Sequence, residues 1–231
     1  MRTLCGSLCL LVATLVLATH TRAQGIVVDE GRFQVSVAGR EVGSEEFSIR
    51  RAGIGREDAF FATGVITRGS SVDRQEIRPL LRASPPEGVA ASYQVKVTGR
   101  DSLDFQMTLV GRRYVAVARS PRGDEEREFA AHEGTRVLDR DVAHHYYFLR
   151  DVREGEKVHV IEPRTRSQIT FSVERRTEDE IQLAGRTTPA RRIELHAPEE
   201  TRIVWYDRLG RVLRVEIPAL GYTAERLDLV G

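Results

Sequence analysis

The chain reads as a mainly β protein: a long curved antiparallel sheet with one principal α-helix packed across it. Three observations predict this. Apolar and polar residues alternate with a period of two through most of the chain, turn-forming pairs separate the alternating runs, and a single segment switches to the helical period. Hairpin-linked strands of this kind give a meander, not the βαβ units of a parallel sheet.

The elements follow in order. Phe33, Val35 and Val37 face one way while Gln34 and Ser36 face the other. Gly39-Arg40 then suits a type II′ hairpin, with glycine at the first central position, and Phe47 and Ile49 lie on the return strand. Residues 59–68 and 77–81 are further strands. Ser84-Pro85-Pro86-Glu87-Gly88 is the clearest break in the chain. Beyond it Tyr93, Val95 and Val97, then Leu103, Phe105, Met107 and Leu109, repeat the alternation. Gly111-Arg112 turns the chain into 114–118, and residues 120–126 read as a second polar loop. Leu138, Val142, His145, Leu149 and Val152 are spaced by four, three, four and three, which puts them on one face of a helix spanning about 139–152. Asp139 is its expected N-cap and Gly155 its stop. Strands resume at Ile169, Phe171 and Val173, at Ile181 and Leu183, and at Ile193 and Leu195. Ile203 and Trp205 lead into the turn Asp207-Arg208-Leu209-Gly210, and Leu213, Val215 and Ile217 return from it.

The N-terminus has the order of a signal peptide: Arg2, an uncharged apolar stretch over 4–18, and Thr21-Arg22-Ala23 as a cleavage site. The stretch is shorter than the roughly 20 apolar residues a spanning helix needs. The expected organisation is therefore a signal peptide at 1–23 and one domain over 24–231, periplasmic or secreted, with no transmembrane segment after cleavage. Cys5 and Cys9 both fall inside the leader, so the mature chain has no disulfide and depends on its core. Removing Arg2 and Arg22 from 35 basic residues leaves 33 against 34 acidic ones, a balance that argues against nucleic acid as partner.

Candidate chemistry is sparse. His144 and His145 are adjacent on the expected helix, where neighbours diverge by about 100° and cannot easily share one ion. Asp141, four residues before His145, is placed to hold its imidazole. His132, His159 and His196 are the remaining candidate ligands, but no metalloenzyme spacing joins them. The expectation is no catalytic residue, no metal and no cofactor, with the helix histidines packed against the sheet. Alternating Arg192, Glu194, Arg214 and Glu216 read as cross-strand ion pairs on a wet face.

Three stretches carry a resemblance: LDRDVAHHYYFLRDV, IEPRTRSQITFSV and RIVWYDRLGRVLRVEIPALGYTAERL. They resemble a group of exported bacterial proteins of unknown function, similar in turn to the lipoprotein-carrier (LolA/LolB-like) half-barrel fold. The resemblance spans 138–229, and GRFQVSVAGREVGSEEFSIRR fits the opening hairpin more loosely. It implies a half-open barrel with an apolar concave surface for acyl chains. On that basis the expected function is a non-enzymatic periplasmic binding or carrier protein for a lipid or other apolar ligand, with protein partners unspecified. The alternative is an envelope structural or assembly partner without a ligand cavity, and a hydrolase or metal-dependent enzyme ranks third. Phe105, Met107, Phe171, Ile203, Trp205 and Val215 are the expected ligand-facing side chains, taken from the side of each strand reserved for burial.

Overall fold

The computed structural model describes residues 25–70, 73–99 and 101–229; the signal-peptide expectation lies outside them. The strands are β1 (Ile26–Val37), β2 (Arg40–Ala52), β3 (Ala59–Arg68), β4 (Gln75–Ser84), β5 (Val89–Thr98), β6 (Leu103–Val110), β7 (Arg113–Ser120), β8 (Gly123–Ala130), β9 (Arg136–Val137), β10 (Lys157–Glu162), β11 (Ser167–Leu183), β12 (Arg186–Ala197), β13 (Glu200–Tyr206), β14 (Val212–Ile217) and β15 (Tyr222–Arg226). They form one sheet in the order β8-β7-β6-β5-β4-β3-β2-β1-β15-β14-β13-β12-β11-β10-β9. Every neighbour is a hairpin partner except two. β15 pairs antiparallel with β1, joining the two ends of the chain, and β9 lies parallel to β10.

The sheet is long and curved, and its ladder does not close. Residues 131–135 carry the chain from one edge, β8, to the other, β9. So short a connection is possible only because the sheet curls until its edges approach. Side chains bridge the gap. The Gln168 amide on β11 donates to the Ala130 carbonyl at 2.8 Å and accepts from the Ala130 N–H at 3.3 Å. Arg166 pairs with Glu125 of β8.

Turn chemistry shapes the hairpins. Val37 pairs with Arg40, so the central residues of the first turn are Ala38 and Gly39, with φ of 49° and 73°. Two positive φ values define a type I′ turn, not the expected type II′. Ala184-Gly185, with φ of 47° and 77°, repeats it between β11 and β12.

Two sequence expectations change shape. The polar stretch after Ser120 is a tight turn followed by strand β8, paired with β7 along its whole length. Only Phe129 of its eight residues is buried, so no alternation announces it. The separate strands expected near 171 and 182 are one strand, β11, whose middle is exposed on both faces.

The inward face of the barrel forms one contiguous core, contributed by nearly every strand and including Phe33, Ile49, Ile66, Leu81, Tyr93, Phe105, Phe171 and Val215. The principal helix lies inside it. It is a 3₁₀ helix over Ala143–Leu149, shorter than the expected α-helix, and all seven of its residues are buried. A second, smaller cluster forms on the outer face. There Ile181, Leu183 and Ala190 of the β11–β12 hairpin meet Trp205 and Leu213, with Ile203 and Leu229 at its margin.

Candidate functional site

The 3₁₀ helix explains most of what happens inside the barrel. Its N-terminal N–H groups would be unsatisfied in an apolar interior. Glu45, fully buried on β2, accepts from the Ala143 N–H at 2.7 Å and the His144 N–H at 2.9 Å. Its Oε1 also lies 2.5 Å from His144 Nδ1, which assigns the His144 proton to that nitrogen. The capping carboxylate thus comes from across the barrel and not from Asp139. The close seat of His144 depends on Gly64, where a Cβ would stand 2.9 Å from His144 Cε1.

His145 takes a different partner from the one its spacing suggested. Its Nδ1 accepts from the Asp139 N–H at 3.3 Å. Asp141 turns away because it precedes the helix with φ at 64°, and it pairs with Arg68 instead. Burial, then the neighbouring His144 and Arg164, holds the His145 pKa well below the usual histidine value. Nε2 of both histidines is buried without a hydrogen-bond partner. Among the described residues, no group of three or more His, Cys, Asp or Glu side chains is placed to hold a metal ion. His132 and His159 do meet, with ring centroids 4.3 Å apart, and Thr170 Oγ1 is 3.0 Å from His159 Nδ1. His196 is held by Thr201.

The expected ligand-facing residues divide between two faces. Phe105, Met107, Phe171 and Val215 point inward and are at most 2% exposed. They share one core with Leu138, Val142 and Leu149. Ile203 and Trp205 point outward, because the period of two on β13 gives the inner face to Val204 and Tyr206. Trp205 is covered by the β11–β12 hairpin, and its indole N–H donates to Asp179 Oδ2 at 3.2 Å. A register shift between Trp205 and Tyr206 moves Leu213 to the outer cluster while Val212 stays inside. The expected ion pairs are present in altered form: Arg192 pairs with Glu194 along its own strand, whereas Arg214 reaches across to Glu225 at 3.1 Å.

A concavity lies at the mouth of the barrel. It measures about 910 Å³ and is bounded by Gly99, Asp101, Ser102 and Leu103, the β7–β8 turn and the β10–β11 turn, with Arg122, Arg164 and Arg166 among its lining side chains. Asp139, 2% exposed, forms the support behind it. It accepts from Tyr93 Oη at 2.6 Å, from the backbone N–H groups of Arg140 and Arg164 at 2.9 and 3.2 Å, and from Arg164 Nε at 2.7 Å. Burial and then the Asp139 charge push the Tyr93 pKa well above the tyrosine value, so its hydroxyl stays a donor. Burial alone would lower the Arg164 pKa, but Asp139 and Tyr93 outweigh it and the net shift is upward. Sequence reasoning missed this site. In the sequence Asp139 has the place of a helix cap, and nothing local connects it to Arg164 or Tyr93.

With this geometry in hand, comparison with known proteins places the chain. A model of the family described as Domain of unknown function (DUF6134) matches residues 103–226, more than half of the chain and the whole run from β6 to β15. The chain belongs to this family. No curated protein matches it. Among solved structures, it is similar to a beta-barrel-like protein of the DUF1849 family from Brucella abortus, with a TM-score of 0.55 at 7% identity, over 88% of this chain and 96% of that one. The likeness supports the barrel-like fold of the DUF6134 chain, and neither comparison points to a catalytic family. The described residues contain no helix long and apolar enough to cross a membrane.

Proposed function

We propose that the protein is an exported, non-enzymatic binding protein that meets its ligand at the polar mouth of the barrel rather than in an apolar interior. One observation carries this reading: the 3₁₀ helix occupies the space an acyl chain would need. Phe148 and Leu149 are 3% and 0% exposed, and Val142 just before them is 1% exposed. Expelling these side chains would cost about 1.5–3 kcal/mol each, with the Glu45 hydrogen bonds lost besides. A lipoprotein-carrier role would require that expulsion. The mouth needs none, and its volume falls within the roughly 300–1,000 Å³ of small-ligand sites. Export rests on the leader-like order of residues 1–23.

Native mass spectrometry of the protein recovered from exported material tests both halves. The expected result is a mature chain beginning near Gln24 and free of phospholipid or fatty acid. A stoichiometric acyl-chain adduct overturns the mouth-binding reading and restores the apolar carrier. Retention of residues 1–23 in a membrane fraction overturns export.

A further inference from the structure

We propose that the mouth cleft binds a ligand with a compact oxyanion head, a carboxylate or a phosphate, anchored by Arg164. This rests on the binding-protein reading above and names the class of ligand.

The first argument is the state of Arg164. Its position is set by the buried Asp139, which holds both its Nε and its backbone N–H. Its side chain is only 13% exposed, yet Nη2 has no hydrogen-bond partner. The Asp141 carboxylate is 3.9 Å from that nitrogen, beyond hydrogen-bond range. A buried guanidinium N–H without an acceptor is uncommon in a folded protein and calls for an explanation. Here the same residue lines a cleft of about 910 Å³. Nη2 is itself covered, so an oxygen entering from the cleft meets it once the guanidinium shifts toward the opening, and the charge-assisted bond then made is among the stronger ones.

The rim defines the rest. Arg166 and Arg122 add two more guanidinium groups to the lining. Their present partners are exchangeable. Arg166 pairs with the half-exposed Glu125, and Arg122, 91% exposed, lies 3.9 Å from Asp101. Exposed pairs of this kind contribute little to stability, so a ligand oxyanion can replace them readily. Asp101, Asp124 and Glu125 stand on the same rim. They repel an extended polyanion while leaving room for a single anionic group, so nucleic acid is a poor fit and a small carboxylate or phosphate head a good one.

Titration of the ¹⁵N-labelled protein with succinate and, separately, inorganic phosphate tests the proposal, with chloride at matched ionic strength as control. The expected result is saturable shifts at Gly99, Ser102, Gly123, Arg164 and Arg166 with at least one oxyanion and none with chloride. Which oxyanion saturates separates a carboxylate site from a phosphate site. Arg166→Ala and Arg122→Ala leave the Asp139 network intact and should each weaken binding several-fold. Arg164→Lys should abolish it, and if that variant does not fold the two rim variants decide. Absence of saturable shifts at millimolar concentrations, or unchanged affinity in both rim variants, overturns the proposal. Lipid-free protein with a silent titration defeats the oxyanion site alone, whereas a stoichiometric lipid adduct defeats the reading beneath it.

Discussion

His145 is neutral in the folded protein because nothing around it favours the charged form. It is fully buried, His144 and Arg164 are its electrostatic neighbours, and its Nδ1 is occupied as an acceptor. Its folded pKa therefore lies below the unfolded value of about 6.5, and the unfolded chain binds the extra proton. Stability from this residue is complete above the unfolded pKa and falls as the pH drops toward the folded one, by at most about 1.4 kcal/mol per pH unit for one proton. His159 shifts in the same direction by partial burial, at a more exposed site. The lowered carboxylates Asp58, Asp179 and Asp228 act only below their ordinary value of 3.8. Urea unfolding between pH 8 and 5 should thus show an acid-side loss that His145→Phe largely removes, whatever that substitution does to the plateau. An unchanged acid limb in the variant would assign the loss to another group. The residue scale is also where the sequence was least informative. That His145 is buried followed from its place on the apolar stripe. Its partner did not, because the positive φ at Asp141 breaks the helical spacing on which the pairing was argued.

The inner 3₁₀ helix is best understood as an element seated from outside itself. The seven residues from Ala143 to Leu149 make too short a helix to be stable alone. Tertiary contacts hold it: Glu45 of β2 at its start, the Tyr206 hydroxyl donating to the Tyr146 carbonyl at 2.8 Å, and the aromatic contacts of Phe60 with Tyr147 and Phe148. Gly64 on β3 is the point of closest approach. In Gly64→Ala the new Cβ would lie 2.9 Å from His144 Cε1 and 3.2 Å from the Glu46 carbonyl oxygen. His144 cannot swing away without breaking its bond to Glu45. The expected cost is about 1–3 kcal/mol, measured by chemical denaturation, with the same far-ultraviolet spectrum. A neutral result would mean that the helix slides freely in its seat. Apolar periodicity revealed that a buried helix exists here. It could not give the cap, because the cap is a carboxylate nearly a hundred residues earlier in the chain.

At the scale of the whole molecule the question is how an open ladder behaves as a barrel. Alternation along the strands made the antiparallel meander legible, and the turn signals marked only some of its corners. The pairing of β15 with β1 and the approach of the two edges were not legible, since they join residues far apart in sequence through backbone groups that every residue has. β8 was missed for a related reason. It is an edge strand with charged residues on both faces, the composition that keeps exposed edges from pairing with other chains. Its attachment across the seam rests on side chains, and Gln168 is the clearest of them. Its amide satisfies both the N–H and the C=O of Ala130, as a neighbouring strand would. Gln168→Ala removes this clasp and leaves the β7–β8 ladder and the core untouched. Two exposed hydrogen bonds are worth about 1 kcal/mol each at most, so the global unfolding midpoint should move little. Local opening is a different matter, because edge elements open with free energies far below the global one. Amide exchange in 123–130 should accelerate several-fold in the variant, while β1 to β5 exchange as before. Adding Arg166→Ala, which removes the bridge to Glu125, should accelerate it further. Exchange that speeds up uniformly around the barrel would show the seam to be integral to the global fold. No change at all would mean that β8 is held by β7 alone.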